Sequence, residues 1–189
     1  MAQKRKGKAV DTWKQKTKYK ILAPKDHEYK ELGVTMSNDP QNLVGRTIEV
    51  SMRDITGDKA KQHQKLVFEL TKAEGTGVHT KFKEYNIARS YLRSLVREGM
   101  SKIDFVKDIS VSDAKLRVKV MITTRGHAQA TQKKEIIKKI SGTLHNHKED
   151  LLENFVQLIM TEKLGRELHQ NIKNICPVGR LEIAEVSTI

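Results

Sequence analysis

Cysteine is nearly absent from this chain. Cys176 stands alone, which excludes an internal disulfide and any cysteine-built zinc knuckle. Aromatic residues make up only 5%, and no segment alternates them with basic residues, which argues against a sheet that reads single strands by stacking. No run approaches the ~20 consecutive apolar residues of a bilayer-spanning helix. No apolar core of a signal peptide follows the basic start, so the expectation is an intracellular protein. Acid is also in short supply. Asp and Glu number 23 against 36 Lys and Arg, a net charge of +13 that favours polyanions as partners.

The basic excess is uneven. Residues 1–20 hold Lys4, Arg5, Lys6, Lys8, Lys14, Lys16, Lys18 and Lys20 against Asp11. Such a segment has too little apolar surface to fold alone and repels itself. The expectation is a basic N-terminal extension over 1–20 that becomes ordered along phosphates, followed by a single domain over 21–189. Trp13 and Tyr19 interrupt the lysines, leaving base stacking and packing against the domain both open.

Within the domain, period-two patterns predict strands around Tyr19–Ala23, Ile48–Met52, Leu66–Leu70, Val78–Phe82 and Leu116–Ile122. Residues 24–45 read as a loop with one helical turn at 41–44. Ile103, Phe105, Ile109 and Val111 keep even spacing but put Lys107 on the apolar parity, which predicts a bulge near Val106. On the strand at 115–122, Lys115, Arg117 and Lys119 alternate with Leu116, Val118 and Val120. A half-solvated antiparallel sheet has this pattern.

The stretch at 86–99 reads as a pivotal helix. Asn86 would cap it and Gly99 would end it, with Ile87, Ala88, Tyr91, Leu92, Leu95 and Val96 facing a core and Arg89, Arg93 and Arg97 in a row opposite. The last third predicts three helices. Ile136, Ile137, Ile140 and Leu144 share one face with Lys134 and Lys138 away from it. Asn146 and Glu149 form a capping box for the next helix, whose apolar face is Leu151, Leu152, Phe155, Val156, Leu158 and Ile159. A third carries Leu164, Leu168, Ile172 and Ile175 until Pro177, and Leu181 and Ile183 predict a closing strand.

Catalytic motifs do not emerge. The glycines at 75 and 77 precede a strand and no phosphate-binding or nucleophile-elbow pattern occurs. His145 and His147 read as surface histidines without a third ligand. Asp54, Asp58, Asp104 and Asp108 could meet in space, and they alone sustain an alternative reading as a metal-dependent RNA-processing enzyme. The main expectation has no catalytic residue, no metal, no cofactor and no small-molecule substrate. A polybasic membrane binder is a weaker reading, since the tail lacks bulky apolar anchors; no membrane partner is expected.

Several segments resemble one family. KYKILAPK (18–25), GRTIEVSMRDITGD (45–58), RSYLRSLVREGMSKID (89–104), KLRVKVMITTRGHAQATQ (115–132) and ICPVGRLEI (175–183) are similar, in matching order, to the small-ribosomal-subunit family S-one-e, also called the S-three-A-e type. The length resembles that of its archaeal members. The resemblance implies an α+β fold with an antiparallel β-barrel-like core flanked by helices. It also implies a non-catalytic role in the cytoplasmic ribosome, on rRNA of the small-subunit platform near the rRNA 3′ end and mRNA exit. Neighbouring small-subunit proteins would be partners, and contact with mRNA is left open. Its RNA-facing residues would be the basic tail, Arg89, Arg93, Arg97 and the segment at Arg125. Lys115, Arg117, Lys119, Lys134 and Lys138 join them as exposed cations. The chain departs from the family at Arg125-Gly126-His127, where a longer basic run is usual.

Overall fold

A computed structural model of the chain describes residues 13, 16–25 and 29–189. The chain clusters into two compact units. One takes the described residues up to Ile48 together with Glu69–Lys81, the other Glu49–Phe68 and Phe82–Ile189.

In the first unit, β1 (Thr17–Leu22) pairs antiparallel with β2 (Glu31–Ser37). Alternation in β1 buries Tyr19 and Ile21 beside Leu43, Leu70 and Val78, and exposes Lys18 and Lys20. Tyr19 is therefore a core residue. β2 replaces the expected loop over 24–45. It is an edge strand with Val34 and Met36 exposed, so its sequence lacks a clean apolar alternation and its stability comes from pairing with β1. The helical turn does form, as Pro40–Leu43 with Leu43 buried. β3 (Thr47–Ser51), β4 (Gln64–Glu74) and β5 (Gly77–Ile87) each contribute residues to both units. Gly75, at φ +59°, makes the tight turn between β4 and β5.

In the second unit β3 gives way to α1 (Met52–Thr56), so Met52 is helical and does not continue the strand. Ser51 accepts a hydrogen bond from the Arg53 N–H and starts the helix, and Gly57 at φ +79° ends it. α2 (Arg89–Ser94) follows β5. β6 (Lys102–Ser110) and β7 (Lys115–Thr124) pair antiparallel from Lys102↔Thr123 to Ser110↔Lys115, and β7 pairs with β8 (Val178–Thr188). Between β7 and β8 come α3 (Ala130–Asn146), α4 (Leu152–Met160) and α5 (Lys163–Ile172). Leu116, Val118, Val120 and Ile122 of β7 are buried, as are Ile136, Ile140 and Leu144 of α3, Phe155 and Ile159 of α4, and Leu164, Leu168 and Ile172 of α5. Each such side chain contributes about 1.5–3 kcal/mol through removal from water.

The class is α+β, but the sheet is open rather than barrel-like. Its order is β2-β1-β5-β8-β7-β6, with β3 and β4 joined through β5, and among the described residues no ladder links β2 to β6. Nor is it wholly antiparallel, since β1 and β5 run parallel from Lys20↔Gly77 to Leu22↔His79. β5 uses its beginning to pair with β1 and its end, Glu84–Asn86, to pair with β8.

Two further expectations change. The register of β6 on β7 is unbroken, so there is no bulge at Val106. Lys107 keeps the inward parity and is half-buried, with its ammonium donating to Ser141 O at 2.7 Å and Ser141 Oγ at 2.6 Å. Its stem packs as an apolar residue would, and the charge is solvated by α3. The bulge lies on β8 instead, where Lys119↔Glu185 is followed by Val120↔Ile183 and Ala184 is the extra residue. The capping box sits at Gln129 and Gln132, opening α3. Asn146 belongs to the end of α3, and α4 starts after Leu151 with no side-chain cap.

Candidate nucleic-acid interface

The pivotal helix is shorter than its sequence pattern. Asn86 and Ile87 end β5, and the Ala88 N–H donates to His63 O at 2.8 Å, so the chain is still extended where a cap was expected. α2 closes at Ser94. Gly99, at φ +78°, serves a separate turn in which the Met100 N–H donates to Arg97 O. No residue of α2 is buried, and Tyr91 and Leu92 are half-buried. Arg89 and Arg93 remain one helical turn apart on α2, whereas Arg97 stands beyond it. All three are exposed, and among the described residues none meets a carboxylate.

Arg89 and Arg93 edge a hollow of about 400 Å³. Leu92, Val96, Met121 and Ala184 also line it, and Lys102 joins them, bound to Asp104 at 2.7 Å. Met121 is buried, so guanidinium groups stand around an apolar floor. This arrangement admits a phosphate chain along the arginines and apolar or aromatic matter beneath it.

The other predicted cations divide according to strand register. Arg117 lies directly across from Asp108 on β6 and donates to both its oxygens, Nε at 2.8 Å and the terminal nitrogen at 3.0 Å. That guanidinium holds the Asp108 carboxyl below the usual carboxylate range. Lys119 faces Glu185 on β8 and binds it at 2.7 Å. Lys20 binds Glu31 at 3.0 Å. These three stay accessible to solvent, but each is already paired with a carboxylate of the chain. Lys115, opposite Ser110, is exposed with no such partner among the described residues, and so are Lys18, Arg125, Lys134 and Lys138. The Lys16 ammonium lies 4.0 Å from the centre of the exposed Trp13 ring, a cation–π contact. Lys4, Arg5, Lys6, Lys8 and Lys14 lie outside the described residues.

The carboxylates proposed for metal chemistry are engaged separately. Asp58 accepts from the Ala60 N–H at 2.9 Å, Asp104 binds Lys102 and Asp108 binds Arg117. Among the described residues no group of three His, Cys, Asp or Glu side chains is placed to hold a metal ion. His145 is exposed as expected, but His147 is not a surface histidine. It is half-buried, with Nδ1 at 2.7 Å from Asp150, Nε2 at 3.4 Å from Glu167, and its ring edge-on to Phe155.

Sequence reasoning missed the neighbourhood of Tyr91. Its ring stacks on His63, with centroids 3.8 Å apart and planes at 23°. His63 lies in the turn before β4 and Tyr91 on α2, far apart in sequence, so only the folded chain reveals the pair.

Fold and surface together define an α+β protein that exposes cations on α2, on α3 and at the ends of β7, among other places. The chain belongs to the Ribosomal S3Ae family, whose model matches residues 4–189. Among its relatives, a protein of Methanobrevibacter smithii named small ribosomal subunit protein eS1 is 36% identical over 175 residues, covering 92% of this chain and 91% of that protein. The protein of the same name from Desulfurococcus amylolyticus is 36% identical over 185 residues, covering 97% and 87%. That of Archaeoglobus fulgidus is 34% identical over 196 residues, covering 100% and 92%.

Proposed function

We propose that this protein is a structural constituent of the small ribosomal subunit that binds small-subunit rRNA through phosphate contacts. The observation that carries this reading is family membership along nearly the whole chain, with relatives named small ribosomal subunit protein eS1. Its place would be the subunit platform, near the rRNA 3′ end and mRNA exit, in the cytoplasmic ribosome beside neighbouring ribosomal proteins. The role is non-catalytic.

Physically, each exposed Lys or Arg that meets a phosphate releases condensed counterions, which supplies affinity without sequence readout. Arg89, Arg93, Arg97, Lys115, Arg125, Lys134 and Lys138 are available for this, as is Lys18, and Lys4, Arg5, Lys6, Lys8 and Lys14 of the N-terminal extension would add to them. Arg117, Lys119 and Lys20 contribute less, because each already neutralises a carboxylate. Sedimentation tests the reading. The full chain should travel with small subunits through a sucrose gradient and remain after a high-salt wash. A chain that stays at the top of the gradient at low salt overturns it.

A further inference from the structure

The second unit holds a cavity of about 570 Å³, the size of a small-molecule site, and the phosphate-binding scheme above makes no use of it. One wall is the His63–Tyr91 stack. Burial lowers the affinity of His63 for a proton.

A second wall is made of hydrogen-bond acceptors. Glu182, from β8, lines the cavity together with Tyr91. Glu162, between α4 and α5, accepts from Gln64 Nε2 at 3.2 Å. That contact sets the orientation of the Gln64 amide, since the reverse would oppose two oxygens. Gln64 is 3% exposed, and its Oε1 has no donor in the described structure. A buried acceptor without a partner marks a site that is incomplete as it stands. Arg166 and Arg180 line the same cavity from exposed positions.

A flat stacking face, surplus acceptors and two exposed guanidinium groups together describe a nucleotide: a base carrying N–H donors and an anionic phosphate. An arginine side chain from a protein partner would also suit the acceptors, but Arg166 and Arg180 oppose a second cation. Guanine alone among the four bases offers two adjacent N–H donor groups, N1–H and the 2-amino group, to one carboxylate.

We propose that this cavity binds one unstacked guanine nucleotide of a single-stranded RNA segment, with the base against the His63–Tyr91 stack, its N1–H and 2-amino edge on Glu182, and its phosphates toward Arg166 and Arg180. The inference rests on the rRNA-binding reading. The test titrates the full chain with the pentaribonucleotides UUGUU and UUAUU, following the ring signals of His63 by NMR, with small-subunit rRNA binding measured in parallel. UUGUU should move the His63 signals and bind about tenfold tighter than UUAUU. Glu182→Gln, which keeps the shape and turns one acceptor into a donor, should abolish that preference. If the variant fails to fold, the wild-type preference and the His63 response decide alone. Equal binding of the two oligonucleotides, a silent His63, or displacement of UUGUU by an arginine amide at equal concentration overturns the proposal. Retained rRNA binding with no guanine preference defeats this inference only, whereas loss of both defeats the functional reading itself.

Discussion

If phosphates are met by cations that have no carboxylate of their own, two triple substitutions must differ in their response to salt. The first changes Arg89, Arg93 and Arg97 to Gln, removing three exposed guanidinium groups without a carboxylate partner among the described residues. The second changes Lys20, Arg117 and Lys119 to Gln, removing three cations held by Glu31, Asp108 and Glu185. Both lower the net charge by three. Each phosphate contact contributes roughly 0.7–0.9 to the slope of log affinity against log salt, so the first triple should flatten that slope by about 2–2.7. Near 0.1 M salt this corresponds to a loss of affinity on the order of 10²-fold. The second triple should change the slope by less than about 1, because its charges are already compensated. Filter binding of small-subunit rRNA across a salt series measures both. Equal slope changes would show that net charge matters and pairing does not, which would refute the reasoning. Neither triple touches a buried side chain, so both variants should keep a cooperative thermal transition.

Three other outcomes follow from particular contacts. Lys107→Met retains the packed stem but removes two hydrogen bonds to Ser141, and urea denaturation should register a loss of about 1–3 kcal/mol. Gly179→Ala would place a methyl 3.2 Å from the Thr123 carbonyl oxygen, a backbone atom in the paired strand, and should cost about 1–3 kcal/mol in the same assay. Glu182 has its pKa raised, chiefly by burial and then by Glu162, so the folded state holds its proton more tightly than the unfolded state does. Its contribution to stability therefore falls as pH rises from the ordinary glutamate value through the raised one. Glu182→Gln should remove that fall, leaving the variant more stable than the parent at neutral pH. Melting temperatures of both proteins between pH 4 and 8 check this.

Much of the strand pattern was legible residue by residue. Tyr19 and Ile21, Leu66 through Leu70, and Leu116 through Ile122 bury the alternate positions that their period-two spacing marks. The core faces of α3, α4 and α5 were equally plain from Ile136, Phe155 and Leu164 onward. The errors cluster where a local pattern competed with a distant partner. Residues 86–88 have helical apolar spacing, yet β8 captures Asn86 as a ladder partner and His63 takes the Ala88 N–H. Lys107 looked like a break in a strand because Ser141, on another element, was out of view. β2 carried too little alternation to be read without β1 beside it.

Composition and periodicity alone established a basic α+β chain with its apolar residues set on the faces of strands and helices, because both depend on spacing along the backbone. Which cations stay open was decided only by tertiary structure. Lys115, Arg117 and Lys119 alternate identically in sequence, but register sets Ser110, Asp108 and Glu185 opposite them, and a charge is neutralised by its neighbour in space. The same holds for Tyr91, whose ring meets His63, from the turn before β4, only in the folded chain.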